Sequence, residues 1–396
     1  MKNRFLIVVF LLIRLNIFAQ THKEIAVKIN PNMETYAIVE RLALPYSKYL
    51  KYRDSLLKVE KIVRPMAYYA HEAFKNQDNS KIAKHFAAVF DAIIDSKGIY
   101  PDAIYEALIF REDFPKKGKK ALFKIDNPNV NTETKTYIYK EITSLVDEIR
   151  QFYIDRNVSS FMEKYKYFYD GAINEVKKAI PTNILASTAD YYRNYDKNLY
   201  TVYLVPSRAF AKGEWQANGP VIPLKNGKKN YVEILNCAYD EVPVDSSGAY
   251  NKFGYSDVEF LTQLTIHEFG HSFVSWGTKE IETTKSNTVI FSGEWENEMK
   301  KYGIWSWETC VNEHIVRTVE IRIAEKMGNK ERADLLRGNY IKKRKYLIIP
   351  QLEMKLLEYE DSQQKYPSFK SFLPELIKIC NSLTIEERDK LLSATR

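Results

Sequence analysis

An α+β fold, predominantly helical with a small sheet packed against one buried helix, is what the sequence predicts, and three observations predict it. Apolar residues recur at three-to-four spacing through the first half and the last third of the chain. Two short runs between them, around Leu199 and Tyr231, alternate and are rich in β-forming residues. A helical segment with its own start signal and uncharged residues flanking its one central acid follows those runs. Strands and helices are thus segregated along the chain instead of alternating, which is the α+β order.

At the start, Lys2 and Arg4 precede an apolar run from Phe5 to Ile13, and Ala19 supplies a small residue at a cleavage point. This is the pattern of a secretory signal peptide, and its apolar run is too short to span a bilayer. Residues 1–19 are expected to be removed, leaving a secreted chain, periplasmic or extracellular, that begins near Gln20 and has no stable membrane insertion. From there to residue 195 the chain reads as helices joined by polar loops. TETKTYIYKEITSLVDEIRQFYI and SSFMEKYKYFYDGAINEVKKAI carry helical periodicity, and Pro181 stops the second. Residues 199–205 and the run from residue 231 are strands, separated by the loop KGEWQANGPVIPLKNGKK. Ser256 and Glu259 form a capping box that opens the helix bearing LTQLTIHEFGHSFV. A long helix from about Trp307 to Met327 stops at Gly328, and the helical remainder holds a second capping box, Thr384 to Glu387. The expected divisions are a helical N-terminal region (20–195), a core bearing the motif (196–330) and a helical C-terminal region (331–396).

Hydrophobic residues make up 45% and charged residues 28% of the 396 positions, with 14 Gly and 14 Pro, which excludes low-complexity and fibrous classes. Without Lys2, Arg4 and Arg14 the formal charge falls from +8 to +5. The excess is spread along the chain, so it reads as a solvated surface and not as a nucleic-acid face. Cys237, Cys310 and Cys380 have no zinc-knuckle or redox spacing and read as buried free thiols, with one disulfide at most.

His267-Glu268-Phe269-Gly270-His271 carries the chemistry. Residues four apart lie on one face of a helix, so two imidazoles from one rigid element can reach one ion. Zn2+ suits such a site, because imidazole nitrogen is a good ligand and a filled d shell imposes no geometry. Glu268 flanks the same face, placed to take a proton from water activated by the ion instead of binding it. Leu264, Thr265, Ile266, Ser272 and Phe273 around the motif are uncharged, as a buried metal helix needs.

HEFGH together with NEHIVR, residues 312–317, resembles the HExxH zinc metallopeptidases of the gluzincin type, and the motif helix then looks zincin-like. The resemblance implies a secreted enzyme that hydrolyses peptide bonds in a peptide or protein substrate, with Glu313 as third ligand. The chain from NPNMETYAIVERLA through HEFGHSF also looks like an uncharacterised family of bacterial secreted proteins bearing this motif. Two departures stand out. Gluzincins related to thermolysin often place an Asp four residues after the ligand Glu, where this chain has Arg317. The metzincin pattern is absent, since Gly277 stands where its third His would fall, and Gly277-Thr278 with Glu280 is only faintly similar to the aspzincins.

The helical wheel separates two carboxylates for the third ligand. At about 100° per residue, Glu308 and Glu313 point roughly 140° apart. Glu308 falls with Arg322, Glu325 and Lys326, whereas Glu313 falls with Cys310, Val316, Ile323, Ala324 and Met327. An unpaired carboxylate is costly on that apolar side, and a metal beneath it removes the cost. Glu320, two turns on, is the expected supporting carboxylate, or it pairs with Arg317. Tyr255, Tyr302, His314 and Arg317 are the candidates to stabilise an oxyanion, each with a packing or surface role as its alternative. The strand from Tyr231 is either a sheet edge that takes an extended peptide or an internal strand. A zinc hydrolase of a non-peptide amide or ester, and a binding protein with an inactive metal site, remain the alternative functions. Intact Glu268 argues against the inactive site.

Overall fold

The computed structural model describes residues 25–51, 64–77, 79–125, 130–181, 183–193, 198–208, 217–224, 227–235, 241–274 and 289–395. The expected signal segment, Cys237 and the Gly277-Thr278-Glu280 positions lie outside them. The α+β, mostly helical architecture is the observed one. Its sheet has five strands: β1 (Ala26–Ile29), β2 (Leu199–Leu204), β3 (Ala217–Asn218), β4 (Val221–Pro223) and β5 (Lys229–Leu235). β1 pairs parallel with β2 and β2 parallel with β5, while β3 and β4 both run antiparallel along the far side of β5. β5 is therefore an internal strand, buried from Asn230 to Leu235, as a strand covered on both faces must be. The edge is formed by β3 and β4, which lie in what the sequence presents as a loop. At two and three residues each they are shorter than any periodicity can register. β1 is also too short to stand out, and its pairing draws the region 20–195 and the region 196–330 into one sheet.

The front helices pack on that sheet through buried charge as well as apolar surface. Helix Pro31–Ala43 starts at Asn30, whose side chain accepts from the Asn32 and Met33 amides. Its Glu40 holds Arg208, four residues past β2, by two 2.7 Å contacts, with the guanidinium over the Tyr105 ring. Its Glu34 accepts from the Tyr169 hydroxyl at 2.7 Å, the Ser207 amide at 3.2 Å and the Ser207 hydroxyl. The segment expected as one helix to Pro181 is two, Val158–Lys164 and Lys166–Ala179, because Tyr165 leaves the helical conformation, with its ring stacked on Tyr69.

Burial raises the Glu34 carboxyl to about 7, against the three hydrogen bonds that favour its charged form. The folded chain thus holds this proton more tightly than the unfolded chain, so the contribution to stability is full below about pH 4.5 and is lost as pH rises through 7. Glu34→Gln removes that loss. Between pH 5 and pH 8 the stability of the variant relative to wild type is expected to improve by roughly 2–3 kcal/mol, read from urea melts at the two pH values. A difference that does not change with pH overturns the assignment.

The motif helix Val258–Val274 lies beneath β5 and against helix Trp307–Lys326. It begins one residue later than the expected box: Asp257 accepts from the Phe260 amide at 2.9 Å, and Glu259 turns to Arg332 instead. Asp is as good an N-cap as Ser, so the local signal was degenerate. Gly270 lets the two helices meet. A Cβ there would come within 3.0 Å of Val316 Cγ1 and 3.1 Å of the Tyr192 hydroxyl. The second box forms as expected, with Thr384 accepting from the Glu387 amide and Glu387 from that of Thr384. Cys310 and Cys380 are buried free thiols. Among the described residues no helix is long and apolar enough to cross a membrane.

Candidate metal centre

Helix Val258–Val274 presents His267 and His271 one turn apart, and helix Trp307–Lys326 brings Glu313 against them. His271 Nε2 lies 3.1 Å from His267 Nε2 and 3.2 Å from Glu313 Oε1, and His267 Nε2 lies 3.7 Å from Glu313 Oε2. One ligand atom from each of the three residues falls within 4.8 Å of the others. Tetrahedral zinc with bonds of about 2.0–2.1 Å holds its ligand atoms roughly 3.3 Å apart. His271 Nε2 lies at about that spacing from His267 Nε2 and from Glu313 Oε1, while His267 Nε2 approaches the other Glu313 oxygen at 3.7 Å.

The far side of each ring sets which nitrogen is free. His267 Nδ1 faces Glu320 Oε1 at 2.6 Å, and a carboxylate can only accept, so Nδ1 donates there and Nε2 is the nitrogen turned to the cluster. His271 Nδ1 is held in the same way by Asn312 Oδ1 at 2.8 Å. Both Nε2 atoms therefore face the Glu313 carboxylate, and each can bind an ion only when it carries no proton. Two nitrogens and a carboxylate oxygen are a donor set that zinc accepts, with room for a fourth partner. Without an ion, burial disfavours the charge on His271, but Glu313 overrides it and raises the ring to about 9. A metal would have to displace that proton.

Glu313 is fixed from behind. Burial opposes its charge, yet Arg317 and the two histidines hold its carboxyl well below the usual range. Arg317 Nη2 reaches Glu313 Oε2 at 2.9 Å, and its guanidinium lies between the Tyr340 and Tyr346 rings. Arg317, at the position where thermolysin-related gluzincins carry Asp, thus supports the acid and not a histidine. Glu320 takes over the histidine, itself gripped by the Tyr340 hydroxyl and Gln263. Loss of a residue that orients a metal ligand typically costs 10–100-fold in affinity. Glu320→Ala and Asn312→Ala are each expected to weaken zinc binding by about that factor, measured by chelator competition. Unchanged affinity in both would sink this account of the support.

Glu268 is buried beside the cluster, and burial raises its carboxyl above the ordinary range against the pull of His267 and His271. The chain linking β3 to β4 passes directly over it. A Cβ on Gly219 would lie 3.0 Å from the Glu268 carbonyl oxygen and 3.3 Å from its Oε2.

Residues 25–379 match a family described as a domain of unknown function, DUF4932. The chain belongs to the DUF4932 family. No curated protein and no solved structure matches this DUF4932 chain.

In this DUF4932 chain three of the expected oxyanion candidates do not face the cluster. Tyr302 is exposed, its hydroxyl 3.4 Å from the Lys343 carbonyl, because a turn at Gly303 carries it away from the helix bearing Glu313. His314 is fully buried with its ring against Trp295 and Tyr346, and its Nδ1 donates to the Cys310 carbonyl at 2.7 Å. Burial lowers it to about 4, so the ring is neutral and sealed in the core. Tyr255 is likewise buried in the core, its amide on Glu175. Glu308 sits near Tyr100, away from the histidines. Of the candidates for catalysis, Glu268 and Arg317 are at the site. Sequence reasoning missed Tyr340, Tyr346, Gln263 and Glu233. Glu233 is fully buried on β5, and burial, then the neighbouring Glu268, push its carboxyl well above the usual range. A lone acid in the apolar run YVEIL was the signal for it.

Proposed function

We propose that this chain is a zinc-dependent metallopeptidase. The observation that carries the reading is the convergence of His267, His271 and Glu313, with the spare carboxylate of Glu268 beside them. A zinc ion held by the three would activate water and polarise a carbonyl. Among the described residues Glu268 forms no ion pair, and it is placed to accept the proton of the attacking water and pass it to the leaving amine. Arg317 positions Glu313, while Glu320 and Asn312 hold the histidines. The edge made by β3 and β4 passes over Glu268, so an extended peptide could pair with it through main-chain hydrogen bonds, which favours a peptide over a small ester. We place the activity outside the cytoplasm on the strength of the Lys2-to-Ala19 pattern.

Purified protein is expected to carry about one zinc per chain and to cleave members of an unbiased peptide library. Chelation abolishes the cleavage and zinc restores it. Turnover confined to a panel of esters and non-peptide amides would replace the peptidase reading by that of another hydrolase. Full metal loading with no turnover on either set would favour a binding protein.

A further inference from the structure

Five lysines fall within nine residues of the chain, from Lys116 to Lys124. The segment before them doubles back: the Glu112 amide donates to the Gly118 carbonyl at 2.9 Å, and the Lys120 amide to that of Phe110 at 2.6 Å. Beyond this turn the side chains alternate between inside and outside, as they do along extended chain. Phe123 is buried and stacks on Tyr139 of helix Thr132–Asp155, with ring centroids 5.4 Å apart, so Leu122 and Lys124 are turned out on either side of it. Leu122 is 68% exposed, the highest figure for any large apolar side chain among the described residues.

The charge around that tip is of one sign. Two grooves share Leu122, Phe123 and Tyr139, and their other walls bring in Arg111, Lys119, Lys124 and Lys135 but no acid. Arg111 is committed to Asp147 at 2.9 Å, and neighbouring Lys120 to Asp113 at 2.7 Å. Lys119, Lys124 and Lys135 form no ion pair among the described residues. Unpaired cations around an apolar projection match a surface with anions outside and hydrocarbon beneath. Lysine heads reach the phosphates while the apolar tip enters the layer under them. A Tyr, with an apolar ring and a wet hydroxyl, suits the level between. A peptide partner would instead need a recess for its side chains, and here the apolar group projects.

We propose that Lys119, Leu122, Lys124, Lys135 and Tyr139 form a docking face for the surface of an anionic phospholipid bilayer. The contact is peripheral: Leu122 and the Tyr139 ring enter the headgroup layer, and nothing in the face crosses the bilayer. It stands apart from the metal reading, because none of these residues belongs to the cluster. Each lysine near such a surface strengthens binding about fivefold, an attraction that salt screens. Three lysines and one leucine give a reversible contact and not a permanent anchor.

The test is co-sedimentation with vesicles of the chain from Gln20 onward, which contains every described residue. One set of vesicles holds equal parts phosphatidylglycerol and phosphatidylcholine, the other phosphatidylcholine alone. Binding is expected to the first set and not to the second, and it should fade in molar salt. Joint substitution of Lys119→Gln, Lys124→Gln and Lys135→Gln should weaken it about a hundredfold. Leu122→Ser should weaken it roughly tenfold. Lys177→Gln, Lys178→Gln and Lys378→Gln together remove the same charge from exposed positions elsewhere and should leave binding near wild type. All these side chains are exposed or half-buried, and melting curves verify that each variant folds. No binding to the anionic vesicles, equal loss in the two triple variants, undiminished binding of Leu122→Ser, or tighter capture of a poly-glutamate peptide than of vesicles overturns the proposal.

Discussion

Glu313→Ala is expected to lower zinc affinity by well over the 10–100-fold that loss of an orienting residue costs, while Glu308→Ala leaves it near wild type. The reason is geometric. Glu313 offers an oxygen 3.2 Å from His271 Nε2, and Glu308 lies on another side of the same helix, toward Tyr100. With two nitrogens alone the ion loses one of the three protein ligands that a catalytic zinc keeps. Removing Glu313 also strips Arg317 of the carboxylate beside it, and a buried cation without its partner destabilises the fold. Glu313→Gln keeps the volume and an acceptor for Arg317, so its folded state can be checked by melting before affinity is compared. Competition with a chromophoric chelator gives the numbers. If Glu308→Ala loses the metal and Glu313→Gln retains it, the cluster is misassigned.

Glu268→Gln is expected to keep both fold and metal and to lose roughly two to four orders of magnitude in peptide turnover, the scale of general acid–base catalysis. The substitution preserves shape under Gly219 and removes only the ability to take a proton. Because burial has already raised the Glu268 carboxyl, the neutral amide costs less in that surrounding than the charge did, so the variant should melt no lower than wild type. Equal loss of turnover and of zinc would point to a ligand role; undiminished turnover would remove Glu268 from the mechanism.

Much of the site was legible because it is local. His267, Glu268 and His271 lie within five residues on one helix, and helical spacing alone puts both rings on one side. Glu313 could be chosen over Glu308 because direction round a helix follows from counting residues. Glu320 was legible for the same reason, two turns further along. For His314, one residue past Glu313, the sequence left a packing role open beside the oxyanion role, and only the packing of Trp295 and Tyr346 shows the ring sealed. Tyr302 failed because no periodicity governs the turn at Gly303.

By itself, then, the sequence determined the helical framework, β2, β5, the motif helix and the two histidines and Glu313 that the fold brings together, since each depends on periodicity or spacing within one element. Tertiary structure decided the rest. It set β5 inside the sheet, with β3 and β4 as the edge over Glu268, because strand order depends on which distant segments meet and leaves no local trace. It also recruited Tyr340 and Tyr346 from beyond the helix to clamp Arg317, and Gln263 and Tyr340 to hold Glu320. A buried charge must find partners wherever the fold brings them, and those partners need keep no fixed distance along the chain.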